Sequence, residues 1–130
     1  NQVIYFENGK SVKNKLTGDA IVSKVRNIGI GILTADCAPI FFYDPTKKII
    51  GCVHSGWKGA LNGIIKNTVK KFNELDSNND DLIAVVGPCI NKKNYEVKTD
   101  FFVNVSVVSI MHEFNSPFDL VVSSIDQYQQ

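Results

Sequence analysis

Short apolar runs separated by polar stretches occupy the first part of the chain, and they predict strands. Residues 3–6 (VIYF) end shortly before Asn8-Gly9, a dipeptide that favours a tight turn because both residues tolerate positive φ. Residues 20–23 (AIVS) and 28–33 (IGIGIL) predict two further strands, the second with interleaved glycines where another backbone can approach closely. The start of the chain therefore predicts part of a sheet.

The next two apolar runs predict a β-hairpin. Residues 38–43 (APIFFY) and 49–54 (IIGCVH) flank residues 44–47, whose Asp-Pro pair presets a type I turn. A hairpin returns its two ends to the same place, so the residue before its first strand and the last residue of its second strand come together. The hairpin is therefore expected to bring Cys37 within reach of His54.

A helix is predicted between Ser55 and Leu75, where the spacing of apolar residues changes to three and four. Ser55 is the predicted N-cap. The apolar face consists of Ala60, Leu61, Ile64, Ile65, Thr68, Val69 and Phe72. The polar residues 76–81 end this helix, and residues 82–87 (LIAVVG) predict a buried strand that Gly87-Pro88 stops.

The last part of the chain has a less regular pattern. A helix is predicted to begin near Thr99, although the many Val and Ser residues in 101–111 fit a helix poorly. No internal repeat and no low-complexity segment is present. A length of 130 residues is enough for one core and too short for two, so residues 1–130 are expected to form a single domain or part of one.

Composition narrows the function classes. Formal net charge is +1 and the densest basic runs are isolated pairs of lysines, so neither nucleic acid nor an anionic membrane is an expected partner. No apolar stretch approaches about 18 residues, and the N-terminus lacks the pattern of a signal peptide. The first residue is not Met, which indicates a fragment or a trimmed chain. Three cysteines without CxxC spacing favour a reducing, cytoplasmic environment.

Cys37 and His54 are the candidate reactive pair. Thiolate and imidazole both bind zinc or copper, and a cysteine beside a histidine can also act as a nucleophile. Both residues also fit buried structural roles, because a free cysteine is usually buried and a single histidine is more often hydrogen-bonded in a core than catalytic. Residues 55–59 (SGWKG) then place an aromatic ring and a cation at the start of the predicted helix, where free backbone N–H groups attract an anion such as phosphate. A tight turn with Trp57 in the core is the alternative.

Three sequence blocks carry a resemblance to a known family. Residues 34–40 (TADCAPI), 53–59 (VHSGWKG) and 87–97 (GPCINKKNYEV) resemble the signature blocks of the laccase-domain family, whose members are named YfiH-like, polyphenol oxidase, peptidoglycan editing factor or purine nucleoside phosphorylase. Residues 18–23 (GDAIVS) resemble a weaker fourth block, and residues 1–4 (NQVI) the beginning of a fifth. The blocks occur in the order that the family shows.

The resemblance implies a fold and an activity. The fold is α+β, a mixed β-sheet core flanked by helices as in YfiH-like proteins. The implied activity is phosphate-dependent cleavage of adenosine, inosine, guanosine or methylthioadenosine, with adenosine deamination in some members. The implied cofactor is zinc or copper, the implied partners are a purine nucleoside and phosphate, and the implied location is the cytoplasm.

The resemblance also assigns residues to the site. It implies that Cys37 and His54 bind the metal and act in catalysis, with Asp36 nearby to orient a ligand or to move a proton. The residues expected to contact substrate or phosphate are Gly56, Trp57, Lys58 and Cys89. Cys89 also fits a buried structural role, whereas Cys52, inside the apolar hairpin, is expected in the core.

Three departures from the family bear on activity. Ile4 stands where the family has its first histidine ligand, so two protein ligands remain where catalytic zinc normally has three. The other histidine, His112, lies outside the matching blocks. Lys58 replaces a usual arginine, which keeps the charge but loses the bidentate fork. Family members are longer on both sides, so the resemblance implies a truncated or divergent member.

Two further functions therefore stay open. The first is an inactive remnant or ligand-binding module of the same fold, favoured by the isoleucine at position 4. The second is a metal-free cysteine hydrolase with Cys37 as nucleophile and His54 as base. Multicopper oxidation is a poor expectation, because the copper centres of such enzymes need many histidines and this chain has two.

Overall fold

A computed structural model of the chain describes residues 1–7, 17–91 and 94–96. The described strands are β1 (Val3–Phe6), β2 (Ala20–Ser23), β3 (Ala38–Asp44), β4 (Ile49–Ser55) and β5 (Ile83–Val86). The described α-helices are α1 (Trp57–Leu61) and α2 (Ile64–Glu74), and a single 3-10 turn (Asn79–Asp81) precedes β5. A mixed sheet with helices confirms the predicted α+β class.

The sheet has the strand order β1-β2-β4-β3-β5. β1 and β2 are parallel, and the other neighbouring strands are antiparallel. β3 and β4 pair along their whole length, from Ala38 opposite Ser55 to Asp44 opposite Ile49. This confirms the predicted hairpin.

The two faces of the sheet differ in what covers them. Helix α2 packs against β4, β2 and β1. The face of the sheet that α2 covers carries Ile40, Phe42 and Val53, all of them buried. The centroid of the Phe42 ring lies 5.9 Å from that of the Phe72 ring in α2. Because side chains alternate along a strand, the neighbouring residues point to the opposite face, called the outer face below. The outer face carries Ile4, Ile21, Phe41, Cys52, His54 and Val85.

The predicted single helix from Ser55 to Leu75 is wrong in two respects. The chain forms two helices, because Gly63 adopts a left-handed conformation with φ of 77° that interrupts the first one. Ser55 is not an N-cap, since it is the last residue of β4 and Gly56 precedes the helix. The Ser55 hydroxyl is buried and has no hydrogen-bond partner within the part of the chain that the structure describes.

The strand predicted at residues 28–33 is also wrong, because this segment is not part of the sheet. Leu33 is 95% exposed, and a Cβ built on Gly29 or Gly31 would meet no atom within 4 Å, so the glycines do not admit a neighbouring backbone. The predicted buried strand at 82–87 is shorter and is an edge strand. Its residues alternate between exposed and half-buried, so only one of its faces is covered.

Some predictions fall outside the described residues. These are the Asn8-Gly9 turn, the helix near Thr99, the segment 101–111 and His112.

Asp44 joins the hairpin turn to the segment that follows α2. Its Oδ1 accepts hydrogen bonds from the backbone N–H groups of Thr46 at 2.8 Å and Lys47 at 2.7 Å, and its Oδ2 accepts one from the Ser77 hydroxyl. Burial by itself would raise the pKa of the Asp44 carboxyl, but these hydrogen bonds and the nearby Lys47 charge together hold the pKa below its usual value.

Replacing this carboxylate should destabilise the fold in a pH-dependent way. Asp44→Asn should lower the free energy of unfolding at pH 7 by about 2–3 kcal/mol, because hydrogen bonds to a buried charged group are lost. The folded pKa lies below the ordinary 3.8, so the carboxylate stabilises the fold fully above that unfolded value and stops doing so as pH falls through the folded pKa. Urea unfolding should show a smaller difference in the free energy of unfolding between wild type and Asp44→Asn at about pH 3 than at pH 7.

The exposed Asp81→Asn variant is the control, and it should match the wild type at both pH values within about 0.5 kcal/mol. A deficit in Asp44→Asn that stays constant between the two pH values would show that the carboxylate charge is not what stabilises the turn.

Candidate functional site

The hairpin register places Cys37 and His54 at the same end of the outer face. His54 pairs with Pro39 across β3 and β4, and the register continues to Cys37 opposite Gly56. A Cβ built on Gly56 would lie 3.1 Å from the Cys37 Sγ, so the thiol rests directly against this backbone. Cys37 and His54 are therefore diagonal cross-strand neighbours, which places their Cα atoms roughly 7–8 Å apart. Two side chains at this separation can contact one ligand.

The segment after β5 closes one side of this region. The backbone N–H of Ile90 donates a hydrogen bond to the carbonyl of Asp36 at 3.0 Å. Cys89 is half-buried and packs against the core, and its burial raises the pKa of its thiol. Its predicted contact with substrate stays a prediction. Burial also raises the pKa of Tyr95, and a negative charge on Cys37 raises it further.

Trp57 and Lys58 follow directly on the strand that carries His54. The Lys58 Nζ lies 5.3 Å from the centroid of the Trp57 ring, within the range of a cation–π contact. Gly56 adopts an extended conformation and lets the chain turn from β4 into α1. Helix α1 has five residues, so its dipole is much weaker than that of the long helix predicted from the sequence. The positive charge available to an anion here is therefore the Lys58 ammonium.

Asp19 lies beside His54, directly before the neighbouring strand β2, and sequence reasoning did not assign it to the site. The backbone N–H of His54 donates to the carbonyl of Asp19 at 2.7 Å. The Asp19 carboxylate pairs with the N-terminal ammonium of Asn1 at 2.9 Å. This bond is the largest cause of the lowered pKa of Asp19, and the backbone N–H of Gln2 and the charge of His54 lower it further, against the opposing effect of burial.

Comparison with known proteins identifies the family. A sequence model described as "Multi-copper polyphenol oxidoreductase laccase" matches residues 1–120. The chain belongs to this laccase family. Among its curated relatives, "Purine nucleoside phosphorylase YlmD" of Bacillus subtilis is 41% identical over 80 residues, which cover 61% of this chain and 29% of that protein. "Purine nucleoside phosphorylase LACC1" of Mus musculus is 37% identical over 102 residues, 76% of this chain and 24% of that protein.

Solved structures show the same fold. The structure of YfiH from Bacillus licheniformis matches with a TM-score of 0.65 and 31% identity, over 73% of this chain and 36% of that one. The structure of YlmD from Geobacillus stearothermophilus matches with a TM-score of 0.63 and 24% identity, over 68% of this chain and 33% of that one. The expected YfiH-like fold is confirmed, and the matched region spans about a third of these chains.

Among the described residues, no third metal ligand joins the predicted pair Cys37 and His54. Ile4, where the family resemblance predicts a histidine, lies on the outer face with His54, and its side chain packs over Gly18, where a Cβ would lie 2.8 Å from its Cδ1. Cys52 is no substitute, since it is fully buried and its burial raises the pKa of its thiol to about 11. Its predicted place in the core is confirmed. Within residues 1–7, 17–91 and 94–96, no group of three metal-binding side chains is placed to hold an ion.

One further observation concerns membranes. Among the helices that the structure describes, none is both long and apolar enough to cross a bilayer.

Proposed function

We propose that this chain forms part of a purine nucleoside phosphorylase site, which cleaves adenosine, inosine, guanosine or methylthioadenosine with phosphate. Two curated relatives that carry this name are 41% and 37% identical to the chain over the matched regions. The observation that carries the proposal is that Cys37 and His54 lie together at one end of the outer face, where β4 leads into the helix that carries Trp57 and Lys58. The three free thiols fit the cytoplasm as the proposed location.

Each side chain has a role in this proposal. The Trp57 ring offers a flat surface for the purine, and the Lys58 ammonium binds phosphate as a point charge. A phosphate oxygen forms a bond to C1′ of the ribose while the bond from C1′ to the purine nitrogen breaks. The electron pair of that bond goes to the purine, which takes a proton from His54 or Asp36. Ribose 1-phosphate and the free base are the products.

Two side chains of the proposed site suit a metal ion. Zinc, with copper as the alternative, is the metal that a thiolate and an imidazole favour, and Cys37 and His54 would contribute two ligands. Catalytic zinc sites normally have three protein ligands. No step of the proposed reaction is therefore assigned to a metal.

The test is phosphate-dependent release of adenine from adenosine by the 130-residue chain. We expect release that requires phosphate and that falls at least about 100-fold in His54→Ala, the usual minimum for loss of an acid–base group. Lys47→Ala, in the hairpin turn at the opposite end of β4, is the control and should keep the wild-type rate. Formation of inosine in the same assay would report deamination.

Two results would contradict the proposal. If wild type and His54→Ala release adenine equally slowly, the chain is a binding module without catalysis. If release needs no phosphate and Cys37 is alkylated rapidly in metal-free protein but slowly in His54→Ala, the chain is a cysteine hydrolase.

A further inference from the structure

An apolar patch on the outer face has no covering element among the described residues. It consists of Phe41 and Tyr43 from β3 and Val85 and Ile83 from β5, which the register places opposite one another in pairs. These side chains are 44%, 38%, 56% and 51% exposed, in that order. Together they leave on the order of a few hundred Å² of contiguous apolar surface, which in a monomer usually marks a contact surface. We refer to these four residues as the outer patch.

The length of the chain after β5 allows a further segment to reach this patch. Ile90 lies at the start of β3, because its backbone N–H donates a hydrogen bond to the Asp36 carbonyl at 3.0 Å. From Asp36 to Phe41 along β3 is five residues, or about 17 Å. The ten residues 91–100 can span up to about 33 Å when extended. The chain that follows Ile90 is therefore long enough for residue 101 to reach the outer patch.

The residues within reach of the patch have a matching composition. Residues 101–111 (FFVNVSVVSIM) contain no charged side chain, and Val103, Val105 and Val107 alternate with the polar Asn104 and Ser106. The laccase family match continues to residue 120, so this segment belongs to the same family region as the sheet. A second copy fits less well, because a stable interface needs about 800 Å² from each partner and the outer patch supplies less than that.

We propose that the outer patch is the docking surface for residues 101–111 of the same chain. In this arrangement the three alternating valines contact Phe41, Tyr43 and Val85. Asn104 and Ser106 face away from the sheet. The proposal concerns how the sheet is covered and does not depend on the proposed enzymatic activity.

Hydroxyl-radical footprinting of the full 130-residue chain tests this contact. Phe41 and Tyr43 should be modified several-fold more slowly in the wild type than in Val105→Asp, which places a charge in the contact. Ser106→Asp adds the same charge at the adjacent position and should leave the wild-type protection unchanged. Phe42, on the α2 face of the same strand and 3% exposed, reports whether a variant is still folded.

A second experiment needs no destabilising charge. Tyr43 is replaced with the photoreactive benzoylphenylalanine, and the crosslinked peptide is identified by mass spectrometry. Crosslinks to residues 101–111 within a monomer support the proposal. Crosslinks to any other segment, or crosslinks found only in a dimer band, would overturn it. Protection of Phe41 that disappears on dilution, together with a dimer mass in light scattering, would also overturn it. Equal footprints in Val105→Asp and Ser106→Asp would also overturn it.

Discussion

Ile4→His should leave the zinc affinity of this chain close to the wild-type value, although the family resemblance predicts a histidine ligand at position 4. Ile4 pairs with Ile21, and Ile21 pairs with Cys52, so position 4 lies two strands across and two residues along from His54, about 12 Å away. Cys37 lies one strand further across and another two residues along, roughly 20 Å from position 4. Zinc ligands place their donor atoms about 2.0–2.3 Å from one ion, so a histidine at position 4 cannot bind the same zinc as Cys37. Competition with a chromophoric chelator measures the affinity, and elemental analysis measures the stoichiometry.

The matched comparison is Phe6→His. Phe6 lies on the same strand and the same face as Ile4, two residues further from the site, so it adds an imidazole at a still greater distance from Cys37 and His54. It should also leave zinc affinity close to the wild-type value. The interpretation fails if Ile4→His binds zinc about 100-fold more tightly than Phe6→His, about 2.7 kcal/mol of binding free energy, and loses that gain in the Cys37→Ser background.

The result also bears on where a third metal ligand would come from. Unchanged zinc affinity in Ile4→His would mean that position 4 is not the third ligand position, and that a third ligand has to come from another part of the protein. This matters because the matched region covers 29% of the Bacillus subtilis relative and 24% of the mouse relative.

The hairpin and the meeting of its ends were predictable because both depend on residues close in sequence. The Asp-Pro pair at 44–45 sets the turn, and the alternation in the two flanking runs sets the strands. Once the turn is fixed, the register follows, and Cys37 must lie diagonally across from His54.

Features that depend on distant residues were not predictable in the same way. The insertion of β2 between β1 and β4 places Asp19 beside His54, and no local pattern reports which strands become neighbours. Ile90 bonds to Asp36 across the end of the sheet, and five residues further on burial and then the charge of Cys37 raise the pKa of Tyr95. The family block that contains Tyr95 was visible in the sequence, and it is the signal that could have assigned this residue to the site.

Two wrong predictions, the strand at residues 28–33 and the single helix from Ser55 to Leu75, both concern segments that contain glycine. Residues 28–33 have the apolar alternation of a strand, yet no neighbouring strand pairs with them, so their pattern is not evidence of burial. In the helical region the apolar spacing continues across Gly63, which hides the break. Only the left-handed conformation of Gly63, a property of the folded backbone, shows that the chain reorients there.

Phe72→Ala should lower the free energy of unfolding by about 3–5 kcal/mol, a large share of what a domain of this size has. The Phe72 side chain is fully buried in α2 and contacts the ring of Phe42. It also fills the space above Gly51, where a Cβ would lie 2.7 Å from its Cε2. This contact holds α2 against β4, the strand that positions His54. Leu33→Ala, at a side chain that is 95% exposed, is the control and should change stability by less than about 0.5 kcal/mol.

The contact with Gly51 makes a sharper version of this prediction. Gly51→Ala alone should destabilise the protein by about 1–3 kcal/mol, because the added methyl group collides with the Phe72 ring and neither can move away in a packed core. In Phe72→Ala that ring is gone, so the same methyl group enters the cavity and recovers part of the lost burial. The double variant should therefore lose less free energy of unfolding than the two single variants lose together, by about 0.5–3 kcal/mol, as measured by urea unfolding. If Phe72→Ala is too unstable to measure, Phe72→Leu serves in the same cycle. Strict additivity would mean that the Phe72 ring does not rest on Gly51, and that α2 is held to β4 by other contacts.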